Sequence, residues 1–151
     1  MKVRQVMNTQ IYSVSPSTTI INIAKAMRRY KTDVVAVRQN GKFRGLVTER
    51  DIDFYIAAYG PNLSKETVDR LITNRKPLVS PGLETTEAAR IMFRNKVSVV
   101  PVTQNGRLLG LLTRDDLVKD SMVMATYMLS KAKDNMCNDY KAHNGRATCI
   151  P

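Results

Sequence analysis

Two segments carry a hydroxyl and a carboxylate three residues apart. They are Gly45-Leu46-Val47-Thr48-Glu49-Arg50-Asp51 and Gly110-Leu111-Leu112-Thr113-Arg114-Asp115-Asp116. One chemistry open to them is structural. Thr-x-x-Asp at a helix start forms a capping box, with the hydroxyl accepting from the third amide and the acid accepting from the cap amide. Such a cap stabilises a helix by about 1 kcal/mol and requires no ligand. The other chemistry uses the same geometry. Helix N-terminal amides suit a phosphate. A carboxylate one turn in can accept two hydrogen bonds from a ribose diol. A glycine in the preceding strand permits close backbone approach. Covalent and acid–base catalysis find little here: there is one histidine, His143, and two cysteines, Cys137 and Cys149. No paired base and nucleophile and no Walker loop accompany them, so no catalytic residue is assigned and no enzyme is expected. Cys137, His143 and Cys149 supply three ligands at wide spacing where structural zinc wants four, so no metal is expected either.

The elements that position the two motifs form an internal repeat. Sliding the sequence by 65 residues aligns 14–52 with 79–117 at 17 identities in 39 positions without a gap. Each unit reads β-α-β-β-α. A short apolar stretch ends at Ser15-Pro16 or Ser80-Pro81. A helical stripe follows, carrying Ile20, Ile23, Ala24 and Met27, or Ala88, Ala89, Ile91 and Met92. Next comes a β-branched strand, Val34 to Val37 or Val99 to Val102. Asn40-Gly41 and Asn105-Gly106 fit tight type I′ hairpins, whose two central residues need positive φ. The return strand delivers Thr48 or Thr113 to a helix N-cap. Neither unit is large enough to be comfortable alone, and packing sheet on sheet would bury their valine-rich faces. The expected class is α/β: two repeated units related by pseudo-twofold symmetry, with a C-terminal helical extension. The expected spans are 1–60 for the first repeat, 61–120 for the second, 121–134 for the extension and 135–151 for a flexible tail. A turn over 59–64 leads into a connector helix over about 65–73.

This constellation resembles the cystathionine-β-synthase (CBS) domain, and two copies resemble a CBS pair, or Bateman module. The resemblance covers about residues 6–120. Val99-Val100-Pro101-Val102 fits the family's strand pattern, and Ala36 departs from it where the proline would stand. The resemblance implies a regulatory module that binds an adenosine compound, such as AMP, ADP, ATP or S-adenosylmethionine, in clefts between the repeats. It implies one cleft built from Lys31, Thr48 and Asp51 with Pro77, Val97, Ser98 and Val99, to which the charge reading of the sequence adds Arg50. It implies a second built from Tyr12, Thr32, Asp33 and Val34 with Lys96, Thr113 and Asp116. Valines would flank the adenine, the aspartate would hold the ribose, and the lysine would meet phosphate. Charge separates the two: Arg50 stands beside Asp51, whereas Asp115 stands beside Asp116 with Asp33 opposite. Extra carboxylates repel phosphate, so the Thr48/Asp51 cleft is expected to be the better site for AMP, ADP or ATP.

The net charge of +11 comes from 24 Lys+Arg against 13 Asp+Glu. It is spread along the chain and favours anionic partners. Lys25, Arg28 and Arg29, echoed by Arg90 and Arg94, form a solvated face or a nucleic-acid stripe; no recognised nucleic-acid motif accompanies them. A nucleic-acid-binding protein using the pair as scaffold is the alternative to a nucleotide sensor. No apolar run approaches the ~18 residues of a membrane span, and no secretory signal opens the chain, so no membrane role and a cytoplasmic location are expected. Ile52, Tyr55, Ile56 and Tyr59, with Met122, Ala125 and Met128, exceed the apolar needs of one small core and point to a homodimer. A regulated partner protein is a further possibility.

Overall fold

Thr19 opens the first long helix, its hydroxyl accepting from the Asn22 amide at 3.3 Å. The helix Ile20–Tyr30 (α2) buries Ile20, Ile23 and Met27 on one stripe. It follows a four-residue helix Val3–Val6 (α1) and a short strand Ser13–Val14 (β1). Strands Val34–Gln39 (β2) and Lys42–Thr48 (β3) pair antiparallel from Val34↔Thr48 to Gln39↔Lys42, and β1 lies parallel to β2. Asn40 and Gly41 turn the hairpin at φ 53° and 75°, as a type I′ turn requires. Helix Glu49–Tyr59 (α3) completes the unit. The second unit repeats this in helix Thr85–Arg94 (α4), strands Val99–Gln104 (β4) and Arg107–Thr113 (β5), and helix Arg114–Leu117 (α5). Its register, bulge and hairpin angles match those of the first unit at an offset of 65 residues. The counterpart of β1 is reduced to a single parallel bridge, Val79↔Val102. This computed structural model describes residues 1–61, 65–72 and 77–120, together with Ala125 and Leu129.

Each repeat lends its opening segment to the other. Val3 and Val6 of α1 are buried in the second unit's core, with Val79, Ala88, Met92, Val100, Val102, Leu112 and Leu117. Val68 and Leu71, from a 3-10 helix Val68–Leu71, are buried in the first unit's core. The backbone bonds of the two exchanges are equivalent: Val3 N to Leu83 O matches Val68 N to Thr18 O, both 2.9 Å. Burying a valine or leucine contributes about 1.5–3 kcal/mol, so each borrowed pair binds the units together strongly. Between the sheets a third cluster joins Ala36 and Leu46 to Val99, Leu108 and Leu111. Beside α1, Lys2 and the terminal amine hold the Glu84 carboxyl below its ordinary range. A lowered folded value means this pairing contributes above the ordinary carboxylate pKa and fades as pH falls through Glu84's own value.

The connector differs from expectation. A 3-10 helix of four residues stands where a longer helix over 65–73 is expected. The apolar residues of α3 differ too. Ile52 is 4% exposed, and Tyr55 and Ile56 pack on the first core, so they are no surplus surface. The borrowed Val68 and Leu71 supply the extra core that covers them. Tyr59 and Phe54 do stand exposed, at 76% and 65%. The expected extension 121–134, Ala125 and Leu129 apart, and the tail 135–151 lie outside the described residues, as do Cys137, His143 and Cys149.

Lys31 and Lys96 follow α2 and α4 in the left-handed region, at φ 52° and 55°. Both close a helix end, with Thr32 N bonding Met27 O at 3.0 Å and Val97 N bonding Met92 O at 3.1 Å. A side chain there costs about 1–2 kcal/mol of local strain that glycine avoids. Lys31→Gly is therefore expected to stabilise the fold by about 0.5–1 kcal/mol, after the added freedom of the unfolded chain is subtracted. Urea denaturation midpoints of the variant and wild type check this; a lower midpoint refutes it.

Candidate functional site

Both motifs form complete capping boxes. Thr48 N donates to Asp51 Oδ2 at 2.9 Å, and Asp51 N donates to Thr48 Oγ1 at 3.3 Å. Thr113 N donates to Asp116 Oδ2 at 2.9 Å, and Asp116 N donates to Thr113 Oγ1 at 3.2 Å. Thr113 Oγ1 also donates to Asp116 Oδ2 at 2.8 Å, and Lys119 Nζ pairs with Asp116 Oδ1 at 3.1 Å. A backbone bond anchors each helix start to the loop before the first hairpin strand: Glu49 N to Asp33 O at 2.8 Å, and Arg114 N to Ser98 O at 3.2 Å.

The first turns of α3 and α5, each so anchored within its own repeat, line one cleft of about 550 Å³. From the first expected set, Thr48, Arg50, Ser98 and Val99 line it; from the second, Asp33, Val34 and Thr113 do. Asp115 lines it as well, where its place beside Asp116 puts it, and so do Glu49, Asp53 and Arg114, which were not among the expected residues. Glu49 and Asp53 stand one helical turn apart, a spacing that could have flagged them.

The remaining expected residues sit elsewhere. Asp51 and Asp116 stand behind the lining, in their capping boxes. Tyr12 stacks on Tyr30 with ring centroids 4.8 Å apart. The Thr32 hydroxyl bonds the Val34 carbonyl at 2.9 Å. Val97 packs on the second core, Pro77 is half-buried, and Lys31 and Lys96 are exposed at their helix ends.

The lining holds four carboxylates, Asp33, Glu49, Asp53 and Asp115, against the guanidinium groups of Arg50 and Arg114. An anionic ligand therefore needs those arginines to offset the carboxylates. Arg50 is not tied down by an ion pair among the described residues; it lies over the Phe54 ring, 5.7 Å from the centroid. Val34 and Val99 supply the apolar walls. A flat ring between valines, with hydroxyls at Thr48 and Thr113, is chemistry this arrangement can provide.

Two repeats of this topology, their motif helices converging on a shared cleft, form one tandem module rather than two unrelated domains. The CBS domain family matches this chain twice, at residues 3–58 and 68–122, and the chain belongs to that family as a tandem pair. The CBS domain-containing protein YhcV of Bacillus subtilis is 25% identical over 120 residues, covering 80% of this chain and 85% of that protein. The CBS-domain protein ATU1752 of Agrobacterium tumefaciens superposes with a TM-score of 0.72 at 26% identity, over 79% of this chain and 98% of that one. The CBS domain pair of protein MJ0100, solved with 5′-methylthioadenosine and S-adenosyl-L-methionine, superposes with a TM-score of 0.69 at 20% identity, over 79% of this chain and 94% of that one. Among the described residues no helix is long and apolar enough to cross a membrane, and no group of His, Cys, Asp or Glu could hold a metal ion.

Proposed function

We propose that this chain is a sensor module that binds an adenine nucleotide, AMP, ADP or ATP, in the cleft between its repeats. The observation that carries the reading is the convergence of Val34, Thr48 and Arg50 of one repeat with Val99, Thr113 and Arg114 of the other on one volume. In this reading the valines flank the adenine, the motif threonines bond the ribose or phosphate, and Arg50 meets the phosphate. Lys31, exposed at its helix end two residues before the lining Asp33, is assigned to the same phosphate in this reading. The MJ0100 pair shares the fold, so the fold has room for an adenosine compound. The module passes its state to other proteins and does no chemistry itself. It pairs with a second copy through the exposed Phe54 and Tyr59 of α3.

Calorimetric titration with AMP, ADP, ATP, adenosine and S-adenosylmethionine tests this. Charge-assisted contacts are about twice as strong as neutral ones, so the phosphate-bearing ligands should bind more tightly than adenosine and weaken as salt rises. Arg50→Ala and Lys31→Ala should each erase much of that preference and leave adenosine binding nearly unchanged. Equal affinity for adenosine and AMP at low salt refutes the phosphate placement. Asp51→Ala should weaken nucleotide binding more than Asp116→Ala, and each should lower stability by about 1 kcal/mol through its lost cap. If both variants keep wild-type affinity and only melt earlier, the motifs are caps and nothing more.

A further inference from the structure

A second concavity lies on the outer face of α2, apart from the cleft and sharing no residue with it. It encloses about 320 Å³ and is lined by Ile21, Ala24, Lys25, Arg28 and Arg29. Its floor is apolar and its rim is cationic. Ile21, Ala24, Lys25 and Arg28 follow the i, i+3, i+4, i+7 spacing of a seam that another helix can occupy. Ala24 is small enough to let a backbone come close. No acidic residue occurs anywhere on α2. Among the described residues Lys25, Arg28 and Arg29 form no ion pair, and only Arg29 is engaged otherwise, over the Tyr30 ring at 5.7 Å.

The duplicate repeat shows that the fold does not require this surface. At the equivalent positions α4 carries Thr86, Ala89, Arg90, Phe93 and Arg94. There Thr86 replaces Ile21 beside the retained Ala89, Phe93 replaces Arg28, and Glu87 pairs with Arg90 at 3.1 Å. The same core stripe is thus built in both helices, while among the described residues α2 presents three basic side chains without an ion pair and α4 one, Arg94. We propose that the α2 face docks an acidic amphipathic helix of a partner protein, its apolar residue seated on Ile21 and Ala24 and its carboxylates against Lys25, Arg28 and Arg29. A nucleic-acid backbone would leave the apolar floor unused. A bilayer would need more exposed apolar surface, since Ile20, Ile23 and Met27 of this helix all face the core.

The probe is a synthetic helical peptide with leucine along one face and glutamate on the flanks, followed by fluorescence anisotropy on the full chain without nucleotide. The acidic peptide should bind more tightly than a lysine-flanked version of itself. Lys25→Glu/Arg28→Glu should weaken it at least about tenfold, because charge reversal replaces attraction by repulsion. Arg90→Glu/Arg94→Glu on α4 should leave it unchanged. Lys25→Gln/Arg28→Gln, which keeps the helix free of new acids near its C-terminal end, should give an intermediate loss with an unaltered circular dichroism spectrum. Several results overturn the proposal: equal binding of the two peptides; equal losses from the α2 and α4 variants; tighter binding of a DNA duplex or of phosphatidylserine vesicles with the same α2 dependence; or a wild-type dimer that the α2 variants convert to monomer, which would assign the face to a second copy.

Discussion

Gly110→Ala is expected to destabilise the chain by about 1–3 kcal/mol, the range for forcing a methyl into a packed site, and by more than Gly45→Ala does. A Cβ at residue 110 would sit 2.8 Å from Met7 Sδ and 2.9 Å from the Asn8 carbonyl oxygen. The methionine could swing aside. The carbonyl cannot, because Asn8 is clamped to β5 by two bonds: Asn8 N to Leu111 O at 2.8 Å and Leu111 N to Asn8 O at 2.9 Å. Relief therefore demands a backbone shift in the segment that α1 donates to the second unit. At Gly45 the nearest atom is nominally closer, Ile72 Cγ2 at 2.6 Å, but the three nearest atoms all belong to one half-buried side chain and the other two lie at 3.7 and 3.8 Å. A rotamer change at Ile72 removes that clash at the smaller cost of an imperfect χ1. Urea unfolding of both variants decides the matter. If Gly110→Ala is neutral, or costs less than Gly45→Ala, the exchanged segment is not held as described.

The two glycines also show what the sequence makes legible and what it hides. A glycine in a strand signals close approach, and each is approached: Gly110 by the Asn8 backbone carbonyl and the Met7 side chain, Gly45 by the Ile72 side chain. What approaches is not legible. Met7 and Ile72 stand 65 residues apart, and each meets the glycine of the repeat it does not belong to. The hairpins, the α2 and α4 stripes and the capping boxes are readable because their causes are local: positive φ at Asn-Gly, apolar residues three and four apart, a hydroxyl three residues from an acid. Val3-Arg4-Gln5-Val6 is too short for any period to show, and its partners begin at Val79. Ile52, Tyr55 and Ile56 look like surplus surface until Val68 and Leu71 arrive from the connector to cover them. The cleft has the same character. Its threonines and valines, and Asp115, follow from the motif and the strand, whereas Glu49, Asp53 and Arg114 join it because the packing of the repeats turns two helix starts toward one volume.

Thr85→Val is expected to cost about 2–3 kcal/mol, because it leaves a buried acceptor without its hydroxyl donor at unchanged side-chain volume. Thr85 is fully buried at the start of α4. Its Oγ1 lies 3.0 Å from the Met1 carbonyl and also donates to Asp120 Oδ2, whose residue is 7% exposed. A single hydroxyl hydrogen serves the carboxylate, the stronger acceptor, since bonds to charged groups contribute about 1.5–3 kcal/mol. The first repeat has no such pair: the equivalent positions hold Ile20 and Tyr55, both packed in the core. This polar contact therefore does for the short α5 what apolar packing does for the eleven-residue α3. Asp120 closes the turn after α5, its amide bonding Leu117 O at 3.0 Å, and Asp116 of the second motif lies one turn earlier. Loss of the Thr85 hydroxyl should consequently loosen the Thr113/Asp116 side of the cleft along with the fold. Thr85→Ser restores the donor and should recover most of the stability, less the value of one buried methyl, about 1 kcal/mol. Chemical denaturation of the three proteins separates these terms, and amide hydrogen exchange at residues 113–120 reads the local effect. Wild-type stability in Thr85→Val, or a serine variant no better than the valine one, would show that Asp120 draws its stabilisation from neighbours other than Thr85.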